Sequence, residues 1–166
     1  MNYYLTDGYD DLKAQRAAAV YLFRHALQAE TGIINLDYMK DERGKPYIPG
    51  TNLHVSISHS KAGIACVIAE FPVGIDIEEV SRMKLMLARK ICTPAELAQF
   101  DETECKQDFL CRLWTLKEAN YKICGKFALP EKHYFTIKKG DAFLSIAAEK
   151  PFEPQEKNVI FAKLHF

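Results

Sequence analysis

Three short segments carry side chains whose types and spacing could do chemistry. Val55-Ser56-Ile57-Ser58-His59-Ser60 offers hydroxyls, an imidazole and turn amides. Gly74-Ile75-Asp76-Ile77-Glu78 places two carboxylates at i and i+2, on one face if the segment is a strand. Trp114 to Lys122, with the sequence WTLKEANYK, places Glu118 and Lys122 at i and i+4, on one face if the segment is a helix. Carboxylates able to hold a divalent cation, beside cations and donors able to hold phosphate, are what phosphoryl chemistry requires. Oxygen ligands such as Asp76 and Glu78 on a rigid element suit Mg²⁺, which binds through a few carboxylates plus substrate phosphate. Blander readings exist: a strand with a wet acidic face, a helix ion pair of about 0.3–0.5 kcal/mol, and a polar hairpin turn. Leu110, Leu113, Trp114 and Tyr121 surround Glu118 in sequence, and a carboxylate in apolar company needs a partner or a metal. Ser58 and His59, adjacent on a strand, point to opposite faces and so do not form a nucleophile and its base.

The elements that must position these groups are legible from periodicity. Asn2 to Thr6 reads as a strand, and Asp10 or Asp11 caps a helix to about Ala29 that Thr31-Gly32 ends. Asp41 to Pro46 is a polar turn. Asn52 to Ser58 and Ile64 to Phe71 form an expected hairpin, and after Pro72 comes a strand from Val73 to Glu79. A helix is expected over 82–91. Thr93-Pro94-Ala95-Glu96 combines a capping box with proline at the first helical position. A long helix from Cys105 to Cys124 stops at Gly125, and strands near 133–138, 142–147 and 158–165 finish the chain. Strand, helix, strands thus occurs twice, breaking near Pro72.

Gly44-Lys45-Pro46, Ser58-His59-Ser60, Gly74 to Glu78 and Trp114 to Lys122 occur in an order and spacing that resemble the 4'-phosphopantetheinyl transferase superfamily. The likeness is to the two-halved type that activates carrier domains of peptide and polyketide synthetases, with its W-x-x-K-E-A signature. It covers roughly residues 44–129, with weaker agreement over Ile91 to Leu97. Phe127 stands where a second glycine is usual, and the basic segment that family members often carry before the first helix is missing.

The resemblance implies an α+β fold of two similar halves, 1–72 and 73–166, packed with pseudo-twofold symmetry around one active site. It implies Mg²⁺-dependent transfer of 4'-phosphopantetheine from coenzyme A to a serine of an apo acyl or peptidyl carrier protein, releasing 3',5'-ADP. The metal ligands would be Asp76, Glu78 and Glu118. Glu118 would also be the general base, and Lys122 a cation on the transferring phosphate. Lys45, Ser58 and His59 would bind coenzyme A phosphates, and Arg16 or Arg24 the 3'-phosphate. Lys117 matches the motif with a less defined role that includes contact with the coenzyme. Carriers of this family are small acidic helical bundles, which the basic, Met- and Leu-bearing run 81–90 would complement.

Composition sets outer bounds. The chain's 166 residues suffice for one domain or two small packed halves, with 48% apolar and 27% charged residues, as in ordinary globular proteins. Its 22 basic and 22 acidic residues cancel, which argues against non-specific nucleic-acid binding. Met1 to Asp7 reads as no signal peptide, and Gly63 to Ala69 is too short to span a bilayer. Five cysteines without a C-x-x-C pair favour a reduced, cytoplasmic setting. A monomer is expected. Two rival readings are a coenzyme A- or carrier-binding homologue without turnover and a metal-dependent phosphodiesterase.

Overall fold

Asp11 accepts a hydrogen bond from the Ala14 amide at 2.8 Å and so starts α1 (Leu12–Thr31), which Gly32 ends in the left-handed region at φ 75°. The computed structural model describes residues 1–161. After β1 (Asn2–Thr6) and α1 come β2 (Met39–Lys40), β3 (Pro46–Tyr47), β4 (His54–His59), β5 (Ile64–Ala69) and β6 (Val73–Glu79). Then follow α2 (Ala88–Ile91), α3 (Pro94–Glu102), α4 (Lys106–Cys124), β7 (His133–Lys139), β8 (Ala142–Ala148) and β9 (Gln155–Asn158). The fold is mixed α and β.

One sheet has the order β4-β5-β1-β9, antiparallel except for β1 beside β9; a second, antiparallel, has the order β6-β8-β7. Period-two alternation sorts their faces. Tyr4, Ile64, Cys66 and Ile68 meet Leu22, Phe23 and Leu27 of α1. Tyr3, Leu5, Ala65 and Val67 meet Val73, Ile75, Ile77, Leu144 and Ile146 of the second sheet. Beyond that sheet, Val80, Met83 and Phe143 pack with Leu110, Cys111 and Leu113 of α4. The order of layers is therefore α1, first sheet, second sheet, α4.

Two contacts fix how the site-bearing elements meet. Ser56 Oγ and Ser58 Oγ, at i and i+2 on β4, accept from the Ile75 and Ile77 amides of β6 at 3.0 and 3.3 Å. Side-chain hydroxyls thus close the seam between the two sheets. On the other side of β6, a methyl group at Gly74 would lie 1.9 Å from the Ala119 carbonyl oxygen, so α4 runs backbone against backbone. Only glycine permits that approach.

Two expected elements differ. The helix expected over 82–91 is instead a 3₁₀ turn (Val80–Arg82), a second (Leu85–Leu87) and the four-residue α2. Glu79, Lys84 and Leu87 stand at the cap positions and give no side-chain cap, while Met83 and Lys84 are extended. Burial of Met83 in the α4 core outweighs helix continuity. The last strand, expected over 158–165, is β9, ending at Asn158; residues 162–166 lie outside the described part. Thr93 forms the expected capping box, its hydroxyl accepting from the Glu96 amide while the Glu96 carboxylate accepts from the Thr93 amide. Among the described residues no helix is long and apolar enough to cross a membrane.

Candidate active site

With Ile75 and Ile77 committed to the core between the sheets, β6 must turn Asp76 and Glu78 the other way, towards α4. Asp76 is 7% exposed. Its Oδ1 accepts from Ser58 Oγ at 2.7 Å and from Lys122 Nζ at 2.8 Å. Lys122 donates further to the carbonyl oxygens of Ile75 (2.7 Å) and Ile57 (3.4 Å), so its three protons all have protein acceptors. Glu78 Oε1 accepts from the Glu79 amide and from Arg82 Nη1, both at 3.0 Å, and Oε2 takes a longer bond from the same nitrogen at 3.3 Å.

The third carboxylate, Glu118, is half-buried on α4. Burial pushes its carboxyl above the usual range, the charge of Asp76 adds to this, and Lys122 offsets part of it. Burial likewise raises Glu78; the Glu79 amide and Arg82 pull it back, and Asp76 adds to the rise. The three carboxylates therefore share one electrostatic neighbourhood. Among the described residues no three such side chains converge closely enough to hold a metal ion; Asp76 and Glu78 pair instead with Lys122 and Arg82. The donor set nevertheless fits a hard divalent cation: all ligands are oxygens, and burial, with the charge of Asp76 adding to it, disfavours the charged form of Glu78 and Glu118, which a bound cation would offset.

A cavity of about 750 Å³ opens beside this cluster, and Arg16, Lys40, Arg43, Lys45, His59 and Lys122 line it. Three of the four expected coenzyme contacts, Arg16, Lys45 and His59, thus face one space. Ser58 does not line it, since its hydroxyl serves Asp76 and the Ile77 amide. Arg24 is tied to Asp37 by two bonds of 2.7 Å and also lies off the cavity. Lys117 is 1% exposed and donates to the Ile91 carbonyl and to Glu96, both at 2.6 Å; it fastens α2 and α3 to α4 instead of reaching the cavity.

His59 is placed by Gln15, whose own NH₂ donates to the Tyr9 carbonyl at 2.6 Å and thereby turns Oε1 towards His59 Nδ1, 3.1 Å away. Burial first, then the charges of Lys122, Arg16 and Lys40, hold the imidazole below its ordinary value of 6.5. Gln15, Lys40 and Arg43 join the site without having been among the expected residues, and Tyr121 of the helix motif also lines the cavity. Lys40 and Arg43 precede Gly44-Lys45-Pro46 closely, so the positive charge around that segment is visible in the sequence. Gln15 carried no signal of its own.

Residues 72–142, from just before β6 to the start of β8, match the 4'-phosphopantetheinyl transferase superfamily, and they include Asp76, Glu78, Glu118 and Lys122. A 4'-phosphopantetheinyl transferase of Bacillus subtilis is 34% identical over 117 residues, 68% of this chain and 52% of that protein. The chain belongs to the 4'-phosphopantetheinyl transferase superfamily. Other superfamily relatives are the gsp transferase of Aneurinibacillus migulanus, 31% identical over 72% of this chain and 51% of that one, and the Sfp transferase of Bacillus subtilis (strain 168), 30% identical over 72% and 55%. The chain spans about half the length of these curated relatives. A solved structure, the holo-[acyl-carrier-protein] synthase of Thermotoga maritima, overlaps with a TM-score of 0.42 and 20% identity, over 49% of this chain and 64% of that one.

Proposed function

We propose that this chain transfers 4'-phosphopantetheine from coenzyme A to a serine of an apo acyl or peptidyl carrier protein, releasing 3',5'-ADP. One observation carries the reading: Lys122 both lines the cationic cavity and pairs with Asp76 at 2.8 Å. A polyanion bound along the cavity therefore ends against the carboxylate cluster. Superfamily membership supports the same reading.

In this reading Arg16, Lys40, Arg43, Lys45 and His59 hold the phosphates of coenzyme A through charge-assisted bonds. Asp76, Glu78 and Glu118 would hold Mg²⁺, which supplies neutralisation of charge on the pyrophosphate. Glu118, its carboxyl raised towards neutrality, suits a base that accepts the proton of the carrier serine. The serine oxygen forms a bond to the β-phosphorus of the pyrophosphate as the bond from that phosphorus to the bridging oxygen breaks. The bridging oxygen leaves with 3',5'-ADP. Lys122 acts chiefly by orienting Asp76, since its protons are already bonded.

The same reading takes 1–72 and 73–166 as two pseudo-symmetric halves of one unit, with the site between them; a helix-backed sheet on each side of the β4–β6 seam supports this. It also takes the protein as a cytoplasmic monomer, consistent with the free cysteines 66, 92, 105, 111 and 124.

A second reading, coenzyme A or carrier binding without turnover, draws on one observation: the chain's own cations pair with Asp76 and Glu78. One experiment separates the two. The chain is incubated with coenzyme A, Mg²⁺ and apo carriers, and the carriers are weighed. A gain of one phosphopantetheine supports transfer. Calorimetric binding of coenzyme A with no gain supports the second reading.

A further inference from the structure

The two cations that pair with site carboxylates differ in how hard they are to move. Lys122 has three acceptors on two strands, and its side chain is 27% exposed. Arg82 is 59% exposed and spends one guanidinium nitrogen on Glu78, whose own side chain is only 16% exposed. The backbone under Arg82 is fixed: the Val80 amide donates to the Asp141 carbonyl at 2.9 Å, and the Met83 amide to the Val80 carbonyl at 3.0 Å. Exchange of cations at Asp76 would break three bonds of a partly covered ammonium. At Glu78 it needs only the rotation of an exposed side chain.

We infer that Arg82 is an exchangeable counterion. It neutralises the mostly buried Glu78 when no divalent cation is bound, and it competes with that cation for the same two oxygens. The inference rests on the reading of Asp76, Glu78 and Glu118 as a metal site. Metal entry at Glu78 then releases the guanidinium to solvent, in a sequence run whose Lys84, Arg89 and Lys90 are likewise exposed. The local 3₁₀ turn serves this exchange, because it brings residue 82 back over residue 78 without burying it.

The test is a titration of the whole chain with Mn²⁺, with free ion counted by electron paramagnetic resonance, on wild type, Arg82→Gln and Lys84→Gln. Lys84 removes the same charge from a neighbouring exposed position. An exposed pair of this kind holds back a competitor by a modest factor, so Arg82→Gln should tighten Mn²⁺ binding about two- to fivefold. Lys84→Gln should change it by a clearly smaller factor. Addition of Mg²⁺ to wild type should also shift the Arg82 guanidinium resonance, identified by its loss in Arg82→Gln, towards that of a free arginine. Equal affinities in Arg82→Gln and Lys84→Gln, or an Arg82 resonance indifferent to Mg²⁺, would overturn the inference and leave the metal site standing. Absence of Mn²⁺ binding to wild type would overturn both. A tightened Arg82→Gln site in a chain that modifies no carrier would support the inference and remove the transfer reading alone.

Discussion

Lys122 Nζ lies 2.8 Å from Asp76 Oδ1 and also donates to the carbonyls of Ile75 on β6 and Ile57 on β4. A single ammonium from α4 thus ties a site carboxylate to the edges of both sheets. Ser58 binds the same carboxylate oxygen from β4, so Asp76 is held from two sides of the seam. The position of this carboxylate depends on how the sheets sit together.

Lys122→Met should therefore destabilise the fold as well as impair the site. Hydrogen bonds to charged groups are worth roughly 1.5–3 kcal/mol, and the loss should be about 2 kcal/mol. Urea denaturation reads it directly. Adding Asp76→Asn to Lys122→Met should cost much less than the sum of the two single changes, because they share one contact. Full additivity would show that the pair does not couple.

His59 gives a pH signature. Its folded value lies below the ordinary 6.5, so the group contributes stability that is complete above about pH 6.5 and is lost as pH falls through the lowered folded value. Wild type should lose melting temperature between neutral pH and pH 5 more steeply than His59→Gln. A phosphate ligand in the cavity reverses the sign by favouring the imidazolium, so coenzyme A binding should take up protons, visible as a buffer-dependent heat in calorimetry. Parallel pH curves for wild type and variant would contradict the first expectation, and buffer-independent heats the second.

Gly74→Ala should be among the most damaging single-methyl changes in the chain. Its Cβ would lie 1.9 Å from the Ala119 carbonyl oxygen, a backbone atom that can yield only if α4 moves off β6. Overpacking commonly costs 1–3 kcal/mol, and a backbone obstacle places this change at about 3 kcal/mol or more. The shift would also carry Glu118 and Lys122 away from Asp76. A variant with wild-type denaturation midpoint would show that α4 has slack there.

Under the proposed transfer reading, an acidic carrier would dock on the run after β6, where Met86 is 79% and Leu85 45% exposed and Lys84, Arg89 and Lys90 are exposed as well. Reversal of Lys84 and Arg89 to glutamate should raise the apparent KM for carrier and flatten its salt dependence, with coenzyme A affinity unchanged. Steady-state kinetics at two ionic strengths decides it. Unaltered carrier kinetics would place docking elsewhere.

The sequence by itself determined the directions in which the key side chains leave the backbone. Two-residue spacing put Asp76 and Glu78 on one face of β6, four-residue spacing aligned Glu118 with Lys122 on α4, and Thr93-Pro94-Ala95-Glu96 marked the start of α3. Adjacency on a strand already forced Ser58 and His59 apart. Which of the two would face the cavity was decided by the tertiary structure, where the β4–β6 seam takes Ser56 and Ser58 and leaves His59 outside it. Tertiary packing also separated Lys117 from Lys122: neighbours in one motif, they leave α4 about 140° apart, one buried under α2 and α3 and the other reaching the cavity. It broke the helix expected over 82–91, because burying Met83 against α4 required extended residues in between. The division has one physical cause. Backbone periodicity is a local property that a few residues specify, whereas the partner a side chain meets is set by packing among segments far apart in the chain.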